Sequence, residues 1–80
     1  MYIVYILISQ KDPARYYIGL TQDLNQRLKK HNDDDCGYSR RYTPWQVETY
    51  VTFRNKNLAA AFERYLKEGS GHAFLRKHLI

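Results

Sequence analysis

The sequence is poor in the residues and runs that mark several large classes of protein. It has one cysteine, Cys36, so no disulfide can close within the chain and nothing points to an oxidising compartment. The expected location is the cytoplasm. No apolar run approaches the roughly 20 residues of a membrane-spanning helix, so no membrane partner is expected. The start, MYIVYILIS, is apolar but has no basic leader and passes directly into Gln10-Lys11-Asp12-Pro13. It reads as a strand, not a signal peptide. There is no CxxC and no close histidine pair to anchor zinc among Cys36, His31, His72 and His78. Asp33-Asp34-Asp35 lacks the spaced ligands and turn glycine of a calcium loop. Neither GxxxxGK[ST] nor GxGxxG occurs, which removes the common nucleotide cradles. No repeat, low-complexity tract or linker divides the 80 residues, so a single domain over residues 1–80 is expected. A chain this short has one modest core, and any site should be a shallow surface cleft.

Positive charge and tyrosine are abundant instead. Lys and Arg number 13 against 8 Asp and Glu, a net charge of +5, and 8 residues are tyrosine. Residues 1–35 hold five basic and five acidic groups, so the whole excess lies in residues 36–80, with eight basic and three acidic. A basic excess suits a polyanionic partner, nucleic acid first among them, although it also simply keeps a small protein soluble.

Periodicity gives the elements. Tyr2 to Ile8 is a nearly unbroken β-branched and aromatic run, the pattern of a central strand covered on both faces. Ser9 to Ala14 is a polar turn, and Arg15 to Leu20 a second strand, making an antiparallel hairpin. Thr21 is the expected N-cap of a helix over Gln22 to His31, with an inward stripe of Leu24, Arg27, Leu28 and His31. Asn32 to Pro44 reads as a polar loop. Gln46 to Phe53 alternates, with Val47, Thr49, Val51 and Phe53 on one face. Asn57 is expected to cap a helix over Leu58 to Glu68, built on Leu58, Phe62, Tyr65 and Leu66 and stopped by Gly69. Ser70 would cap a last short helix carrying Phe74, Leu75 and Leu79. The order β-β-α-β-α-α predicts an α/β (α+β) sandwich, a three-stranded antiparallel sheet flanked by helices.

Five side chains could carry chemistry. A turn centred near Lys11 sets Tyr5 and Tyr17 opposite each other on one side of the sheet, with Gly19 leaving a gap beside the rings. Either tyrosine alone would be ordinary in a strand. Arg27 on an inward helix stripe needs an anion or an open site, or else snorkels at the core edge. His31 points the same way one turn later. Glu63, beside Phe62 on the later helix, is either a solvated flank residue or a ligand for a hard divalent cation.

Together these residues resemble the GIY-YIG nuclease superfamily. The first motif falls on Val4-Tyr5-Ile6, with Val4 in place of the leading glycine (Ile3-Val4-Tyr5 in strict register). The second is complete as Tyr17-Ile18-Gly19. Arg27 falls at the family's helix arginine, His31 at its His/Tyr position and Glu63 at its metal-binding glutamate. The likeness covers nearly the whole chain and is greatest to the small standalone bacterial members. The domain also recurs in the excision-repair incision subunit and in homing endonucleases, so a role in DNA repair or recombination is implied. Leu20 departs from the lysine that the repair enzymes carry after the glycine. The resemblance implies a one-metal mechanism with Mg²⁺ (or Mn²⁺) on Glu63, Arg27 on phosphate oxygens, Tyr5 or Tyr17 deprotonating water, and His31 orienting or relaying. Arg40, Arg41, Arg54 and Lys56, with Arg76 and Lys77, are candidates for DNA backbone contacts.

The leading expectation is a metal-dependent DNA endonuclease. The alternatives are a nucleic-acid-binding module with weak or lost cleavage, and a small interaction domain docking through Tyr38, Tyr42 and Trp45. So small a nuclease would bury little substrate, and a homodimer or a partner protein would enlarge the contact.

Overall fold

Strand formation begins where β-branched and aromatic residues are densest. The computed structural model describes residues 1–33 and 40–80; the sequence readings on Asp34, Asp35, Cys36 and Tyr38 lie outside them. Strand β1 (Tyr2–Ser9) is followed by β2 (Tyr16–Thr21), helix α1 (Leu24–Asp33), β3 (Trp45–Phe53), α2 (Lys56–Leu66), α3 (Gly69–Phe74) and a closing π-helical turn, Leu75–Leu79. The sheet order is β2-β1-β3, with both pairings antiparallel. This is the expected α+β order. No helix among the described residues is long and apolar enough to cross a membrane.

Central β1 is covered on both sides, which explains its unbroken apolar run. Val4 and Ile6 pack with Ile18, Ala59, Leu66 and Leu75 in one cluster, beneath α2 and α3. Tyr5 and Leu7 pack with Trp45 in a second cluster, supported by Leu24 and Leu28 of α1. The two clusters are the two faces of one strand.

Several local expectations are corrected. The hairpin pairs Tyr5 with Gly19 and Leu7 with Tyr17, so its turn lies beyond Lys11 and the two tyrosines sit diagonally on a shared face. The stripe assigned to β3 is broken by a bulge: Ile6 faces Thr49 but Leu7 faces Val47, which leaves Glu48 without a partner in the register. One extra residue inverts the alternation, sending Trp45 and Val47 to the Tyr5 side and Phe53 to the other. Helix α1 starts after Asp23, whose Oδ1 accepts from the Gln26 N–H at 3.0 Å, so Asp23 and not Thr21 caps it. Helix α2 is capped by Asn55, not Asn57; its Oδ1 accepts from the N–H of Asn57 at 2.8 Å and of Leu58 at 3.1 Å. Leu58 and Tyr65 are exposed, and Ala59 and Leu66 supply the buried contacts of α2. Glu68, not Ser70, stands at the N-cap position of α3, without a side-chain cap bond. Trp45 is only 3% exposed, so it is a core residue and offers no docking surface.

Candidate active site

The site is built on the β1–β2 pair and closed by α1. Tyr5 is 1% exposed and lies across Gly19. A Cβ on Gly19 would come within 2.3 Å of the Tyr5 Cζ and Oη atoms. Glycine is required here because the Tyr5 ring itself fills the space, so the expected gap for a ligand is absent at this point. Tyr17 stacks beside it, with ring centroids 6.3 Å apart and planes at 26°.

Helix α1 sets the third wall. Leu24 and Leu28 pack inward, and at this spacing His31 follows them into the same layer, 8% exposed. The His31 ring lies 4.5 Å from the Tyr17 ring and 6.4 Å from both Tyr5 and Trp45. Its Nε2 is 3.5 Å from the Tyr5 hydroxyl, the outer limit of a hydrogen bond.

Arg27 departs from the inward position expected of it. It is exposed, and lines a groove with Gln26 of α1, Leu20 and Thr21 of β2, and Lys56 of α2. The groove is the shallow surface cleft that the chain length led one to expect. Glu63 comes from the opposite layer, on α2, with its side chain 25% exposed and its Oε2 3.4 Å from Lys67 Nζ. That i,i+4 ion pair was readable from helical spacing but was not foreseen.

The Tyr5 hydroxyl is where these groups meet electrostatically. Burial pushes its pKa from 10.0 up to about 12; Tyr17 raises it too, Arg27 opposes, and Glu63 adds a further rise. Arg27 and Glu63, on different helices, therefore act on one hydroxyl that also touches His31. Tyr5, Tyr17 and His31 pack together, and the charges of Arg27 and Glu63 are felt at the Tyr5 hydroxyl. At neutral pH the Tyr5 hydroxyl keeps its proton.

Of the basic residues expected to track a backbone, Lys56 shares the groove with Arg27. Arg54 is exposed just past the end of β3, two residues before Lys56, and Arg40 and Arg41 are exposed in the helical residues that precede Tyr42. Arg76 lies elsewhere, beside Tyr16 and Ile80. Among the described residues no three His, Cys, Asp or Glu side chains gather to hold a metal. A lone, partly exposed carboxylate does not suit zinc, but it does suit Mg²⁺, which keeps most of its water and takes one or two carboxylates. Glu63 fits that description. Sequence reasoning also missed the Tyr16 hydroxyl to His72 Nε2 contact at 2.6 Å, which ties α3 to β2. No spacing rule links residues so far apart in the chain.

Comparison with known proteins agrees with this architecture. Residues 1–76 match the GIY-YIG catalytic domain. The chain is 36% identical over 84 residues to the structure-specific endonuclease subunit slx1 of Schizosaccharomyces japonicus, covering 96% of this chain and 31% of that protein. It thus spans less than a third of the length of that relative. It is 33% identical over 66 residues to a UPF0213 protein of Clostridium perfringens, covering 80% of this chain and 70% of that one. The solution structure of a UPF0213 protein from Bacillus halodurans superposes with a TM-score of 0.57 at 25% identity, over 99% of this chain and 87% of the other. The last two matches bear out the likeness to small bacterial members. With all but four of its residues inside the match, the chain belongs to the GIY-YIG catalytic domain family.

Proposed function

We propose that this chain is a divalent-metal-dependent endonuclease that hydrolyses phosphodiester bonds in DNA. The observation that carries the reading is the packing of Tyr17 and His31 against the buried Tyr5, whose hydroxyl also feels the charges of Arg27 and Glu63. Similarity to slx1, a structure-specific endonuclease subunit, supports the same reaction class and favours a partner protein. A single cysteine and a DNA substrate both fit a cytoplasmic setting.

Each residue then has a role. Arg27, exposed in the groove, pairs with phosphate oxygens and stabilises the charge that develops on them. Lys56 contacts the backbone a few residues away along the same groove and positions it without reading sequence. Tyr5, protonated at neutral pH, lies against His31 and helps hold its ring in place. Tyr17 is 37% exposed and is the tyrosine that can meet the attacking water, with His31 against its ring to accept or pass on a proton. Glu63 would hold Mg²⁺ or Mn²⁺, with Lys67 giving way. That ion, when bound, supplies Lewis-acid polarisation of the phosphate and neutralises the leaving oxygen.

The test is cleavage of plasmid and branched DNA with Mg²⁺ or Mn²⁺ by the wild type, Arg27→Ala and Glu63→Gln. Loss of one charge-stabilising group should lower kcat by roughly 100-fold or more in each variant. Equal activity in all three would refute the assignment. A second reading is favoured by one observation: Leu20 lines the groove where the repair enzymes carry a lysine. On that reading the chain binds DNA and cleaves weakly or not at all, and salt-dependent binding without cleavage is the result that distinguishes it.

A further inference from the structure

Strand β3 lies at the edge of the sheet, and its first residue meets a side chain instead of another strand. Trp45 pairs with Ser9 of β1 on its inner side. Towards α1, the Trp45 N–H donates to Asn32 Oδ1 at 2.6 Å, and Asn32 Nδ2 donates to the Trp45 carbonyl at 3.1 Å. A primary amide carries one acceptor and one donor group at the spacing of a peptide edge, so Asn32 completes a rung that a further strand would otherwise make. Trp45 is 3% exposed, and buried main-chain groups left unpaired at this point would be costly.

We propose that Asn32 is a positioning residue of the site: by bonding both ways to the Trp45 main chain it fixes the last turn of α1 on β3 and so holds the neighbouring His31 ring between Tyr17, Tyr5 and Trp45. Three observations converge on it. His31 and Asn32 are consecutive in the final turn of α1, so a clamp on one sets the rotation of the other. The Trp45 ring, anchored through the same main chain, is 6.4 Å from the His31 ring and forms the wall behind it. Helix ends are the parts of a helix most ready to open, and here the end carries a site side chain. The Asn32 side chain bonds to main chain, and it acts on His31 through the backbone.

The proposal rests on the reading of His31 as a site residue, but the clamp has readouts of its own. The chain has one tryptophan and three histidines, so Trp45 fluorescence and the three imidazole Cε1–H resonances can each be followed individually. In Asn32→Ala, the Trp45 emission and the His31 resonance should shift, with His72 and His78 unmoved. Cleavage should fall roughly 10–100-fold in kcat at unchanged KM for DNA, the usual effect of a misplaced catalytic group. Asn32→Asp keeps the acceptor for the Trp45 N–H but sets a carboxylate oxygen against the Trp45 carbonyl, so it too should shift both signals and lower the rate. Thr49→Val is the control. It removes another clamp, the Thr49 Oγ1 bond to the Leu79 carbonyl at 2.7 Å, and should lower stability without moving His31, Trp45 or kcat. Unmoved His31 and Trp45 signals in Asn32→Ala would overturn the proposal, as would a Thr49→Val variant that loses as much kcat. Should Asn32→Ala not fold, Asn32→Asp decides, and wild-type signals in it overturn the clamp. A wild type that cleaves nothing defeats the nuclease reading alone, because the two spectroscopic signals report on the clamp without turnover.

Discussion

Burial of the Tyr5 hydroxyl makes an alkaline prediction that needs no substrate. In the folded chain this group has its pKa raised from 10.0 to about 12. Above pH 10 the unfolded chain therefore releases the proton while the folded chain retains it, and stability falls as pH rises. Each pK unit is worth 1.36 kcal/mol, so about 1.4 kcal/mol should be lost by pH 11 and about 2.7 kcal/mol in all once pH has passed through 12. Below pH 10 the contribution is constant. The measurement is a difference between the wild type and Tyr5→Phe, which isolates this one hydroxyl. Urea unfolding at pH 9, 10, 11 and 12, followed by Trp45 emission, gives both curves. At pH 9 the substitution should cost no more than about 1.5 kcal/mol, since it removes one hydroxyl contact of 3.5 Å. The wild type should then lose ground to the variant with pH, until the difference closes or changes sign near pH 12. Parallel curves from pH 9 to 12 would refute the reasoning, and with it the raised pKa of the buried Tyr5 hydroxyl.

Two further predictions concern the scaffold. Gly19→Ala puts a Cβ 2.3 Å from the Tyr5 ring, and should cost about 1–3 kcal/mol in urea unfolding while changing Trp45 emission as the ring is displaced. Asn55→Ala should cost about 1 kcal/mol of thermal or urea stability through loss of the α2 cap, while Asn57→Ala should stay within about 0.5 kcal/mol.

The element order was legible because each long element has a clean period: two in the strands, about 3.6 in the helices. The candidate site could be proposed from sequence because Tyr17-Ile18-Gly19 and the four-residue step from Arg27 to His31 are local patterns. The failures share a physical origin. A bulge adds one residue to a strand without disturbing its composition, so Val47 and Thr49 look like neighbours on one face when Glu48 has separated them. Arg54-Asn55-Lys56-Asn57 offers two good caps, and only the backbone angles at Asn55 (φ −105°, ψ 121°) decide between them. Arg27 sits on the flank of the stripe, where spacing alone cannot distinguish an inward side chain from one lining a groove. Asn32 lay in what reads as a loop, and its partner is a main chain 13 residues away.

Because β1 is hydrogen-bonded on both sides, it belongs to the part of the molecule that opens last. Tyr5 rides on that strand, whereas Arg27 and Lys56 ride on the first turns of helices that are secured mainly by side-chain packing. The parts of the site thus differ in how long they survive a fluctuation. Amide exchange at Tyr5 should report global unfolding, while exchange in α1 should report a smaller opening that removes the Arg27 side of the candidate site and leaves the tyrosine where it was. Warming the chain would then silence it in two stages, first by disengaging the cationic helix and only later by dissolving the fold.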